Sequence, residues 1–536
     1  MLRLSNLFKQ RLFISTHRMY SSKLNLPLIP IFTKPLRNLN NDLTKSSIIE
    51  DNKAYTYSQV FQGVHRIKNM LLKDQKKKFL QAERVAYLMP NSLEYACTQW
   101  GIWACGATAV PLGLSHPIKE LEYVLENSQS KVLLYHPQYE DKVKQLKQNI
   151  NIECIPLTKE ILLAENSNLD FEFFEFDLEK EALFIYTSGT TGKPKGVVLT
   201  YKNILAMMDA LTTAWDYQKS DHILHCLPLH HVHVRIKALN CILYNGGTVQ
   251  FIKYNPDQLW KQFLTNKQIN MFMAVPTIYA TLIQCYSKLT DEEKKQVTEN
   301  FKSYRLMASG SSALPSTVFD QWHQISGHKL LERYGMSEIG MALTNPYSPI
   351  EERTKGHVGL PFPTVEIRLV DEDNNVIYNN NQSGEIQIRG PSVFKEYWKN
   401  EIATKEAFTK DGWFKTGDIA ELTLDHGYRI LGRNSVDIIK YKGFKLSALE
   451  IEKEILDFEA ISECTVLGLP HQEFGESILA LLVLKSGYSF DKEKLLTFLS
   501  DKLADYKLPN RFEVLDQIPK NAMGKVNKKA LKADYI

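Results

Sequence analysis

The sequence predicts an α/β fold in which parallel sheets covered by helices lead into a barrel-like antiparallel module and then a small α+β unit. Three observations carry this. From about Asn52 onward, apolar strand-like runs alternate with amphipathic helical patterns, the rhythm of β-α-β units. Between Gly356 and Gly432 that rhythm gives way to short period-two strands separated by turn clusters. After Gly432 the pattern resets to helix, two strands and helix over about a hundred residues, a normal domain size.

Each region can be justified from its residues. "RVAYLMP" reads as a buried strand and "HPIKELEYVLENSQ" as a helix. Pro117 stands where a first-turn proline is tolerated, and Ile118, Leu121 and Leu125 share a face. "KVLLYH" (Lys131 to His136) returns as a strand. In the second region "TVEIRLV", "GEIQIRG" and "GYRILGR" alternate between turn clusters such as "DEDNN" and "NNNQSG". In the third, "SALEIEKEIL" and "KEKLLTFLSDKLADY" are helical, while "ISECTVLGLP" and "ILALLVLKSG" are strands. The composition of "GRNSVDIIKYKG" places a boundary near Arg433, so residues 23–432 and 433–536 are expected to form separate domains.

At 536 residues the chain is too long for one hydrophobic core. Its 44% hydrophobic and 24% charged fractions are those of an ordinary soluble globular protein. A net charge of +4 offers no basic footprint for nucleic acid. No apolar run is long enough to span a bilayer; "ILALLVL" (Ile478 to Leu484) has the length of a buried strand. The seven cysteines, Cys97, Cys105, Cys154, Cys226, Cys241, Cys285 and Cys464, are scattered without a CxxC pair. They read as free thiols in a reducing compartment rather than a zinc site or disulfide framework.

The first turns differ from the rest. "MLRLSNLFKQRLFISTHRMYSSKLN" carries Arg3, Lys9, Arg11, Arg18 and Lys23, and no acid precedes Asp42. Leu2, Leu4, Leu7, Phe8, Leu12 and Phe13 can line one face of a helix. Basic, serine-containing, acid-poor and amphipathic is the pattern of a mitochondrial transit peptide, and Arg18-Met19-Tyr20 before Ser21 resembles a matrix-processing site. Residues 1–22 are therefore expected to be a transit peptide and the protein to reside in the mitochondrial matrix; the alternative is a disordered basic tail. The C-terminal "ADYI" is not a Ser-Lys-Leu peroxisomal address.

One stretch points to chemistry. "YTSGTTGKPKG", Tyr186 to Gly196, packs glycines, hydroxyls and lysines into eleven residues. It is not a P-loop, because Gly189 and Gly192 are two residues apart and Pro194 follows Lys193. It is nonetheless built for phosphate: glycine lets backbone amides approach an anion, hydroxyls add donors and lysines add charge. Strand patterns flank it, from Ala182 to Tyr186 and from Val197 to Leu199.

With "LPLHHVHV", "MASGSSAL", "RYGMSEIGM", "GWFKTGD", "YRILGR", "YKGFKLSALEIE" and "PKNAMGKVNK" following in order, the chain resembles the adenylate-forming superfamily from about Asp51 to Leu531. The resemblance implies a large N-terminal domain of two helix-covered sheets plus a β-barrel, under a small mobile α+β C-terminal domain. It also implies carboxylate activation: attack on the α-phosphate of ATP gives acyl-AMP and pyrophosphate, and the thiol of coenzyme A then displaces AMP. That chemistry needs charge neutralisation at phosphorus, a grip on the nucleoside and exclusion of water.

By the same resemblance, Thr187, Ser188, Gly189, Thr190, Thr191, Gly192, Lys193, Pro194 and Lys195 would hold the departing β- and γ-phosphates. Glu338, with Thr187, would bind Mg²⁺, a hard cation that wants oxygen ligands. Tyr334 would stack on adenine beside the Gly310–Ala313 backbone, chiefly Gly310 and Ser311. Asp418, assisted by Arg433, would hold the ribose. Lys525 would reach the α-phosphate and carboxylate as charge develops. Lys442 and Gly443 of "YKGFK" would meet the pantetheine arm after the small domain rotates about a hinge at Ser435, Val436 or Asp437.

For the acid itself the motifs look most like the malonyl-CoA and methylmalonyl-CoA synthetase branch. The alternatives are a medium-chain or aromatic acyl-CoA synthetase, or a non-catalytic nucleotide-binding protein. A dicarboxylate needs a cation for its second carboxylate. Arg305 is the expected ligand, and His231, with His233 after it, would form the wall of the acyl pocket. Two departures stand out: Val234 replaces the branch's usual Gly, and Thr281 its usual basic residue. Arg235 is either a second source of charge or a residue that faces solvent.

Overall fold

The computed structural model describes residues 23–73, 80, 83–164, 169–187, 194–424, 426–442, 444–520 and 526–536. Two large sheets dominate. The seven-stranded one runs, edge to edge, through Glu396–Tyr397, Lys195–Thr200, Glu181–Thr187, Thr108–Pro111, Arg84–Leu88, Val132–Tyr135 and Glu153–Pro156. The nine-stranded one is parallel through its centre, where His222–His225, Met271–Ala274, Leu306–Ser309 and Leu331–Met336 lie side by side. The strand readings of "RVAYLMP" and "KVLLYH" and the helix over "HPIKELEYVLENSQ" are therefore borne out, the last as Ile118–Ser128.

The two sheets share one core. Helix Leu93–Ala104 lies between them with every residue buried, which explains why it carries no polar face. Its Trp100 donates to Asn240 Oδ1 at 2.9 Å, and its Trp103 donates to the Ala182 carbonyl at 2.8 Å. Each indole satisfies its one donor while its ring fills the interior.

The barrel-like module is a five-stranded antiparallel sheet, with Glu366–Val370, Ser383–Arg389, Phe414–Thr423 and Gly427–Arg433 as its long members. A turn, 434–437, then leads into a second five-stranded sheet with its own core, which includes Ile439, Ile451, Ile455, Val466, Ile478 and Leu495. Helix Ala448–Leu456 and strands Ile461–His471 and Gly475–Leu484 fall where the sequence places them. The last helical pattern is shorter than expected. Lys492–Ser500 ends at Asp501, and Leu503 folds its amide back to the Leu499 carbonyl so that both leucines stay buried.

Candidate active site

The described flanks of the signature stretch are two paired strands. Strand Glu181–Thr187 pairs antiparallel with Lys195–Thr200, and Thr187 sits opposite Lys195. Ser188, Gly189, Thr190, Thr191, Gly192 and Lys193 lie outside the described residues, as do Gly443 and Lys525. Behind the hairpin, Thr200 ends the strand and caps helix Tyr201–Ala214 in a capping box with Asn203. The Asn203 amide also donates to the carbonyls of Pro391 and Val393, at 2.8 and 2.9 Å. One polar side chain thus ties the hairpin to residues 391–398.

That second segment carries a residue the sequence reading did not assign. Glu396–Tyr397 pairs with Val197–Val198 of the hairpin, and Tyr397 donates its hydroxyl to Glu338 Oε1 at 3.0 Å. The Phe394 amide holds the Glu338 carbonyl at 2.7 Å, and the Lys195 ammonium lies 5.1 Å from the Tyr397 ring centroid. Glu338 is 6% exposed, and burial pushes its carboxyl up against the opposing hydrogen bond from Tyr397. The stretch that carries Tyr397 is "VFKEYWKN", in which no residue was singled out.

Tyr334, Asp418 and Arg433 come together. Strand Phe414–Thr423 sets Asp418 opposite Arg433 in register. The Tyr334 hydroxyl donates to Asp418 Oδ2 at 2.6 Å, and Arg433 Nε donates to Oδ1 at 3.0 Å. Both carboxylate oxygens are engaged, so the group is fixed in direction. A cleft of ≈ 600 Å³, lined by Thr416, Gly417, Arg433 and Asn434 among others, opens beside it. Tyr334 and Glu338 share a tight reversal in which Gly335 is obligatory: a methyl group there would lie 2.1 Å from the Gly340 carbonyl oxygen.

Gly310 and Ser311 follow strand Leu306–Ser309 at its carboxyl end, where ligands enter parallel sheets. Pro194 accepts a hydrogen bond from Tyr123 through its carbonyl at 2.9 Å. His231 precedes the short helix Val232–Val234, its ring 4.1 Å from that of His230. Burial and the neighbouring histidines hold His230 down at about 2, so it is neutral. Lys442 occupies a left-handed turn position (φ 50°) between two strands, and its ammonium lies 4.5 Å from the Phe474 ring centroid.

Arg305 is not where a substrate ligand must be. It precedes strand Leu306–Ser309, at the end opposite Gly310 and roughly 16 Å away at about 3.3 Å per residue. Its Nε and Nη2 donate to Asp221 at 2.6 and 2.5 Å, and its Nη1 to the Trp215 carbonyl at 2.8 Å. The expectation that Arg305 binds the acid is corrected: it pairs with a fully buried carboxylate. Thr281 spends its hydroxyl on the Thr277 carbonyl of its own helix. Arg235, 0% exposed, donates to the Tyr95 hydroxyl and the Leu229 carbonyl.

The structure thus fixes a carboxylate between a tyrosine and an arginine, beside the paired strands that flank the signature stretch and a buried glutamate. Residues 37–398 match the family model described as AMP-binding enzyme, and residues 450–525 match the AMP-binding enzyme C-terminal domain. The chain belongs to the AMP-binding enzyme family. A malonate–CoA ligase of Arabidopsis thaliana is 39% identical to it, over 97% of this chain and 91% of that one. The human malonate–CoA ligase ACSF3, mitochondrial, is 38% identical over 94% and 91%. Among solved structures, ATP-bound MatB from Rhodopseudomonas palustris has a TM-score of 0.83 at 29% identity, covering 94% of this chain and 98% of that one.

Proposed function

We propose that the protein is an ATP-dependent, AMP-forming ligase that joins malonate, or methylmalonate, to coenzyme A through an acyl-adenylate. The observation that carries this is the Tyr334–Asp418–Arg433 cluster set beside the Glu338–Tyr397 pair at the root of the hairpin. The names of the malonate–CoA ligase relatives support the choice of acid.

In this reading Asp418 accepts the ribose hydroxyls, with Arg433 and Tyr334 holding its direction, and the Tyr334 ring covers the adenine against Gly310 and Ser311. The hairpin residues from Thr187 to Lys195 cradle the β- and γ-phosphates. A carboxylate oxygen of the acid attacks the α-phosphorus, the bond to the β-phosphate breaks, and pyrophosphate leaves. Lys525 meets the charge that builds on phosphorus. The thiolate of coenzyme A then attacks the acyl carbon, and AMP departs with the bonding electrons.

Glu338 and Thr187 suit Mg²⁺, which takes one or two protein oxygens and completes its shell with phosphate and water. When bound, the ion supplies positive charge to the phosphates; Tyr397 keeps the Glu338 carboxylate aimed. Residues 23–432 act as the adenylation domain and 433–536 as the mobile cap. We place the hinge at Ser435 and Val436, since the Asp437 carboxylate is held by the Arg433 amide at 2.9 Å and by Lys528 at 2.6 Å. Lys442 and Gly443 then serve the pantetheine arm. Residues 1–22 direct the chain to the mitochondrial matrix, a reading that their fusion to a fluorescent reporter tests.

The activity test is a substrate panel. With ATP, Mg²⁺ and coenzyme A, malonate should release pyrophosphate far faster than acetate, octanoate or benzoate. A reversed order refutes the diacid assignment; silence with every acid refutes the ligase.

A further inference from the structure

Two buried arginines, Arg235 and Arg333, each keep a nitrogen without a partner among the described residues, Nη1 in the first and Nε in the second. Their hydrogen bonds go to the Tyr95 hydroxyl, the Leu229 carbonyl and the Ser311 hydroxyl, none of which carries charge. A buried cation that meets no opposite charge is costly, so each is a place where an anion would be welcome. Their surroundings differ. Arg235 is enclosed: Tyr95 and Leu229, which receive its bonds, are themselves buried.

Arg333 lies at an open edge. Its Nη2 donates to Ser311 Oγ at 3.2 Å, and Ser311 is exposed. Gly310 and Ser311 follow strand Leu306–Ser309, whose neighbour in the sheet is strand Leu331–Met336, with Ser309 opposite Glu332. The guanidinium is therefore at the carboxyl ends of two parallel strands, where ligands enter such sheets. The chain makes room for it there. A methyl group on Gly310 would lie 2.5 Å from the guanidinium carbon, 2.6 Å from Nη1 and 2.8 Å from Nε. Ser311 holds a left-handed backbone (φ 76°), costly for a residue with a side chain, and its hydroxyl meets the cation. A glycine and a strained serine thus seat one arginine beneath an exposed turn. Tyr334, the next residue, donates its hydroxyl to Asp418 at 2.6 Å, so the same strand end serves both the carboxylate cluster and the cation.

We propose that Arg333 binds the distal carboxylate of the diacid and so selects malonate over acids whose far end is neutral. The inference rests on the diacid reading given above. In that reading the adenylate lies on Gly310 and Ser311, the two residues that the guanidinium meets. The other anions of the reactants have cations of their own there: the signature lysines for the β- and γ-phosphates, and Lys525 for the α-phosphate. The distal carboxylate is the anion left over. Guanidinium is the side-chain cation best matched to a carboxylate, and the free Nε is a charged donor ready for it.

The test compares malonate with malonamate, the half-amide that keeps its size but is neutral at the far end, on the full-length enzyme. In the wild type malonate should far exceed malonamate. In Arg333→Met the malonate-to-malonamate ratio of kcat/KM should fall about a hundredfold, the loss expected for truncating one partner of a buried charge pair, with the malonate change mainly in KM. Arg333→Lys should restore part of it. Gly310→Ala, which keeps the arginine but crowds its guanidinium, should lower the ratio as well; because each acid is read against the other, any effect on the nucleotide cancels. An unchanged ratio in Arg333→Met, or an equal fall for both acids, overturns the assignment, and a hundredfold fall in Arg235→Met instead passes the role to that arginine. Should Arg333→Met fail to fold, an unchanged ratio in Gly310→Ala overturns it. A wild type that uses malonamate as well as malonate overturns the diacid reading itself.

Discussion

Arg305 and Arg333 illustrate how little a residue's type says about its task. Both are arginines in motif-bearing stretches, Arg333 buried and Arg305 half-buried, and they lie at opposite ends of neighbouring parallel strands. Burial works against the Arg305 cation, but the Asp221 carboxylate outweighs it and raises its pKa. For Arg333 no acid compensates, and burial brings it down to about 10. Arg305→Ala should therefore act on stability. Leaving Asp221, 0% exposed at its side chain, without its partner should cost about 3–5 kcal/mol, read as a lowered denaturation midpoint. The malonate KM of the folded fraction should stay near wild type, and a KM effect without a stability loss would return Arg305 to the acyl site. Asp418, Tyr334 and Arg433 were legible in the sequence because each stands in a short motif. Tyr397 was not, because an isolated tyrosine has a surface or core explanation until its neighbours are known.

At the scale of the element, strand Leu331–Met336 serves two purposes at once. Its far end supplies Arg333 and Tyr334 to the site, and its beginning carries Glu332 inward, where Oε1 accepts the Gly356 amide at 2.8 Å. Burial raises the Glu332 carboxyl from 4.5 to about 8, against the pull of the Gly356 hydrogen bond and Lys453. The folded state therefore keeps this proton up to about 8, while the unfolded chain releases it near 4.5. Unfolding gives up a proton across that window, so the stability contributed by the protonated group is full below it and is lost as pH rises through it. Glu332→Gln, which cannot ionise, should gain melting temperature relative to wild type as pH goes from 5 to 8, with the difference levelling off above. A pH-independent difference would show that the carboxyl is already ionised. The strands and helices themselves were readable from period and capping. The early stop at Ser500 was not, because it follows from where Leu503 packs rather than from local propensity.

For the molecule as a whole, the C-terminal unit carries a polar fastening of its own. Lys528 of the last helix binds Asp437, which follows the proposed hinge, and Glu452 of helix Ala448–Leu456, each at 2.6 Å. Burial works against the Lys528 ammonium, but Glu452 and Asp437 together outweigh it and keep it charged. Such a pair of carboxylates around one lysine holds residues 526–536 to the sheet of the cap, so that any swing carries them as one body. Lys525 is expected to travel with it. Lys525→Ala should slow acyl-adenylate formation by orders of magnitude, roughly 3 kcal/mol or more. Thioester formation from added malonyl-AMP should continue if, as proposed, that half-reaction uses another orientation of the cap. Equal loss of both half-reactions would argue against two orientations.

The sequence by itself determined the family and the layered α/β plan, along with the residues expected to hold the nucleotide, because glycine spacing, strand period and motif order are local properties that survive without coordinates. Tertiary structure alone decided which buried cation has a partner. That depends on what faces a side chain across the core: Asp221 faces Arg305, whereas Arg333 reaches the Ser311 hydroxyl and no carboxylate among the described residues. Only the folded chain brings residues so far apart in sequence within electrostatic reach of each other.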